Sequence, residues 1–195
     1  MSDYLLSDFK ISAVLVFTRE ASKTKWIYKK YFEIFLYSLL YVGIQFVVVL
    51  ACAVIKGNSI TYTKFLVAIT GIEFMLISIS IFTFTIISST VILKFSRSLV
   101  VLGTVFAYLL SLFITLSTSG LFNNVIVKLM PVANSMLRWH SVNYLFKCMQ
   151  LSETSGFSLT WSLCYWLFLI AITFLVGKLM INRIDMVDIE KEELH

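Results

Sequence analysis

The sequence predicts an all-α fold, a polytopic membrane helix bundle of about four transmembrane helices plus a re-entrant or interfacial helical excursion. Three observations predict it. Hydrophobic residues make up 59% of the chain and charged residues 14%, against roughly 45–50% and about 25% in soluble domains. Mean hydropathy is +0.90. The apolar residues fall in continuous runs of bilayer length, not in the alternation of a membrane strand. Helices, which satisfy their backbone groups internally, are therefore favoured over a barrel.

The chain opens with a short apolar piece, Ile11 to Phe17. At about 10 Å of helix it is too short to span, and it is expected to lie in the interface. Asp3 and Asp8 come early, with no basic n-region and no small-residue cleavage site, so no signal peptide is expected. Next comes a collar at 19–31, R-E-A-S-K-T-K-W-I-Y-K-K-Y, with aromatic rings interleaved among basic residues. It runs straight into the first span, about 34–55. A basic and aromatic collar of this kind belongs at the cytoplasmic edge of a membrane, and it is expected to form a short surface helix.

Lys56-Gly57-Asn58-Ser59 reads as a turn. The second span, about 65–93, exceeds the length of an upright crossing, so it should tilt, kink or protrude. A tight basic turn at 94–98 leads to the third span, about 99–119. Residues 120–157 break the pattern with Pro131, the sole proline, and with Asn134, Arg138, His140 and Asn143. This is the outer excursion, expected to hold two short helices. The last span is about 158–180, followed by a mostly acidic tail. The whole of 1–195 reads as a single integral membrane domain.

Four spans put both termini on one side. Eleven of the sixteen lysines and arginines then fall on that side, which predicts a cell-membrane protein with both termini cytoplasmic. The net charge of +5 is accounted for by span-end clustering, so the expected partner of these charges is membrane lipid and not nucleic acid. Cys52, Cys148 and Cys164 lack metal-ligand spacing and are expected to act as small packing residues.

Residues with chemical potential are few. Glu73 is the one acidic residue inside a span, and Ser80 and Thr83 fall within about 80° of it on a helical wheel. Together they form a candidate polar seam for a substrate pathway, because a carboxylate at membrane depth rarely faces lipid. The bland alternatives are a Glu73 near the headgroups, or a protonated carboxyl bonded to a neighbouring helix. His140 has no second histidine or carboxylate at helical spacing, so no metal site is expected. The H-E-x-x-H and G-x-S-x-G motifs and any phosphate-cradling glycine loop are absent from the sequence. The chain is therefore not expected to be an enzyme or to hold a cofactor, and any ATP hydrolysis would belong to a partner. An intramembrane enzyme would have only Glu73 and His140 to work with.

Three stretches carry a likeness to a known family: T-R-E-A-S-K-T-K-W-I-Y-K-K-Y at 18–31, M-P-V-A-N-S-M-L-R-W-H-S-V-N-Y at 130–144, and F-L-V-G-K-L-M-I-N-R-I-D at 174–185. In order and character they resemble the membrane permease subunit of type-2 ATP-binding-cassette transporters, as in bacterial peptide, lantibiotic and antibiotic exporters. The likeness spans roughly residues 11–188. The family usually has six spans, so the chain looks as if it lacks the first two, with Ile11 to Phe17 as the stub of the second. The resemblance implies that the collar is a coupling helix, with Arg19, Lys23, Lys25, Trp26, Lys29 and Lys30 meeting a cytoplasmic ABC ATPase subunit. It also implies a broken outer element around Pro131 to Asn143, and assembly with itself or a second permease subunit. The expected function is permease-like export of an amphiphilic substrate such as an antimicrobial peptide. A non-transporting membrane interaction, immunity or regulatory protein is the alternative.

Overall fold

The computed structural model describes residues 23–55, 64–118, 125–140 and 158–183, apart from the side chains of 23, 53, 54, 64–67, 118, 138 and 183. It is all-helical, with no strand among the described residues. In chain order the helices are α1 (Lys23–Ile55), α2 (Lys64–Ile92), α3 (Arg97–Thr118), α4 (Val125–Leu129), α5 (Pro131–Ser135), a 3₁₀ turn (Leu137–Trp139) and α6 (Leu159–Arg183). Among the described residues, α1, α2, α3 and α6 are long and apolar enough to cross a membrane. The fold class and the number of spans therefore stand as expected.

The collar differs from expectation. From Lys23 onward it is not a separate surface helix but the first turns of α1, which runs unbroken for 33 residues. Within the charged stretch, Trp26, Ile27, Tyr31 and Ile34 recur at helical spacing and are all buried. A buried stripe of this kind holds a helix more firmly than propensity does. At about 50 Å, α1 exceeds the roughly 30 Å hydrocarbon core.

The α2 helix is the most enclosed span, and three of its hydroxyls bond back to their own helix. Ser78 donates to the carbonyl of Phe74 (2.7 Å), Ser88 to Phe84 (2.8 Å) and Thr90 to Ile86 (2.6 Å). This i−4 back-bonding lets serine and threonine pack in a span, whereas the Ser89 hydroxyl is buried with no hydrogen-bond partner. Cys52 and Cys164 face outward and not into a core. The N-terminal stub, the turn at 56–59, Cys148 and the acidic tail lie outside the described residues.

The described residues divide into two compact units, those within 1–36, 82–105 and 168–195, and those within 37–81 and 106–167. In the first, Trp26, Ile27, Tyr31, Ile34, Phe82, Ile86 and Ile181 form the core. Gly177 lets α6 approach α1, because a Cβ there would run into the Tyr31 hydroxyl and lie 3.1 Å from Ile27 Cδ1. Thr90 gives its proton to Ile86, so Tyr31 is the donor in the 2.6 Å bond between their hydroxyls. In the second unit, Phe46 and Phe74 meet edge to face, with ring centroids 5.4 Å apart. The broken element Val125–Trp139 packs there too, with Val127 and Ala133 buried against Met130 and Trp139.

Candidate functional site

The strongest candidate lies in the second unit, where the chain breaks its helix between α4 and α5. A break frees backbone groups that lipid cannot satisfy. Pro131 suits the first position of α5, having no N–H to lose. Met130 gives no side-chain cap, and the next donor, the N–H of Val132, goes to Ser111 Oγ on α3 at 3.3 Å. This is a cap supplied by another helix.

The carbonyls at the end of α4 are met by side chains. Asn134, fully buried, spends both Nδ2 protons on the carbonyls of Lys128 (2.8 Å) and Met130 (2.9 Å). The Lys128 carbonyl also accepts from Trp161 Nε1 at 3.1 Å, and that of Leu129 accepts from the Tyr165 hydroxyl at 3.1 Å. Trp166 Nε1 donates to the Asn134 carbonyl at 3.3 Å. Trp161, Ser162, Tyr165 and Trp166 share one face of α6, at i, i+1, i+4 and i+5.

Proton bookkeeping orders the centre of this network. With both Nδ2 protons used, Asn134 Oδ1 accepts from the Ser162 hydroxyl at 2.7 Å. His140 Nδ1 faces the Met136 carbonyl at 2.9 Å and must donate to it, while Nε2 lies 2.7 Å from Ser162 Oγ. A second ring proton would complete every contact. Burial opposes that charge and lowers the pKa of His140 below its ordinary value, against the raising effect of the backbone bonds to Met136 and Leu137.

Glu73 joins the same assembly. Its Oε2 accepts the Leu137 N–H at 3.1 Å, so α2 anchors the element just beyond α5. Ser80 and Thr83 are buried further along α2. The arrangement can hold a broken element rigidly on three spans. No group of histidine, cysteine and carboxylate side chains suited to a metal occurs among the described residues.

Of the outer residues expected from sequence, Pro131, Asn134 and His140 come together here. Asn143 and the side chain of Arg138 lie outside the described residues. Sequence reasoning missed Ser111, Trp161, Ser162, Tyr165 and Trp166. The signal on α6 is the spacing of polar-tipped aromatics, which also fits an ordinary interfacial belt.

The collar residues lie in the first unit. Lys25 and Lys29 are exposed, and Lys30 is nearly buried and paired with Glu33 at 2.8 Å. Trp26 is buried in the core. Arg19 and the side chain of Lys23 lie outside the described residues. Comparison with family models, with curated proteins and with solved structures gives no match.

Proposed function

We propose that the chain is a permease-like transmembrane subunit of an ATP-binding-cassette transporter. It works as an oligomer with itself or a second permease subunit in a bacterial cell membrane, with both termini cytoplasmic. A separate cytoplasmic ATPase hydrolyses ATP, and the permease exports an amphiphilic substrate such as an antimicrobial peptide. The observation that carries this reading is the polar-satisfied helix break at 125–140, held by α2, α3 and α6 just before the last span. A broken outer element ahead of the final span is what the family resemblance implies.

The collar supports the same reading. Lys25 and Lys29 are exposed at the start of a helix that continues unbroken to Ile55. A contact at the collar would bear directly on the head of that span. The second reading, a membrane interaction, immunity or regulatory protein without transport, draws on the burial of Trp26, which withdraws one ring from any docking surface.

Co-purification tests the choice. Tagged protein extracted in mild detergent is expected to bring down a subunit carrying the G-x-x-x-x-G-K-[ST] loop. Lys23→Glu with Lys25→Glu should abolish the association. Recovery of no such subunit, or equal recovery with the charge-reversed variant, would defeat the transporter reading.

A further inference from the structure

In the first unit, Tyr28, Tyr31, Phe32 and Phe35 of α1, Phe82 of α2 and Phe174 of α6 line a groove of about 500 Å³. That volume falls within the roughly 300–1,000 Å³ of ligand sites. The walls brace one another. Phe174 meets Tyr28 edge-on with centroids 5.6 Å apart and tilts onto Tyr31 at 4.9 Å, and Phe35 meets Phe82 edge-on at 5.3 Å. The Tyr31 hydroxyl is committed to Thr90, so apart from the Tyr28 hydroxyl the lining is ring surface.

Two exposed lysines flank the groove. Lys29 lies one turn before Phe32 on α1, and Lys178 lies one turn beyond Phe174 on α6; both are exposed. The close approach at Gly177, next to Lys178, sets that part of α6 beside Ile27 and Tyr31, the residues that bracket Lys29 on α1. Lysine stems can cover the groove mouth while their heads stay in the headgroup region. A soluble anion would have no use for the groove. An extended peptide would need backbone partners that a lining of rings does not offer. The charge and shape fit an amphiphile with an anionic head, and the surrounding bilayer supplies one.

We infer that this groove holds one anionic phospholipid, with an acyl chain along the aromatic rings and its phosphate at Lys29 and Lys178. Native mass spectrometry of the full chain, exchanged into equimolar phosphatidylglycerol and phosphatidylcholine, tests this. The wild type should retain one phosphatidylglycerol with about a tenfold preference. Lys29→Gln with Lys178→Gln should bring retention of the two lipids to parity. Phe32→Trp, which narrows the groove without altering charge, should lower retention of both lipids at unchanged helix content. Lys94→Gln with Arg97→Gln removes as much charge from the neighbouring turn and should leave the preference intact. A preference that survives the lysine substitutions, or falls equally with the turn variant, would overturn the inference. Glycerol phosphate displacing the lipid as effectively as the whole phospholipid would also overturn it.

Discussion

Asn134→Leu puts the broken outer element to a quantitative test. The substitution keeps the volume of a fully buried side chain and removes three hydrogen bonds, two to carbonyls and one from Ser162. The groups left behind are not orphaned. The Lys128 carbonyl keeps Trp161, the Met130 carbonyl keeps the Asn134 backbone N–H, and Ser162 keeps His140. The loss is therefore the net worth of three bonds and not a desolvation penalty. At about 0.6 kcal/mol per membrane hydrogen bond that comes to roughly 2 kcal/mol, or about thirtyfold in an equilibrium. Asn134→Asp should cost more, because it turns a second oxygen toward two carbonyls. The assay is hydrogen exchange of residues 125–140 in bicelles, where Asn134→Leu should lower protection about thirtyfold. Protection within about threefold of wild type, at native helix content, would refute the reasoning.

Other outcomes follow from the same contacts. Gly177→Ala should destabilise by about 1 kcal/mol, the Tyr31 clash outweighing the roughly 1 kcal/mol gain in helix propensity; in a Tyr31→Phe background, detergent unfolding should show the cost relieved. Burial lowers the folded-state pKa of His140, so between that value and the ordinary imidazole value the unfolded chain binds more protons. Stability then rises with pH across this window and is lost as pH falls through the folded pKa. Exchange protection of 125–140 should drop on acidification from about pH 7 to about pH 5, and His140→Gln should flatten that dependence. Glu73→Gln keeps an acceptor for the Leu137 N–H and should preserve docking of the element, whereas Glu73→Ala should loosen it by about 1 kcal/mol. If Glu73→Gln loosened the element as much as alanine, the acceptor role would be wrong.

The four spans were legible because bilayer length and continuous hydropathy are local properties of the chain. The excursion was legible for the same reason, since Pro131, Asn134 and His140 interrupt an apolar pattern. The extent of α1 was not, because the charges of the collar hid the buried stripe of Trp26, Ile27, Tyr31 and Ile34. Least legible were the clamps. Ser111 and Val132, Ser162 and Asn134, and Tyr165 and Leu129 are brought together across long stretches of chain, and a serine or tyrosine that will serve a distant carbonyl looks like any other. Glu73 stood out as an intramembrane carboxylate, but its partner is a backbone N–H, which has no sequence signature.

The most direct test of the transporter account is site-specific photo-crosslinking in intact cells, with a photoreactive residue at Lys25, exposed at the head of α1. The account predicts an adduct with a cytoplasmic protein that carries a phosphate-binding G-x-x-x-x-G-K-[ST] loop, lost when Lys23 is reversed in charge. Adducts confined to membrane proteins without such a loop would contradict it.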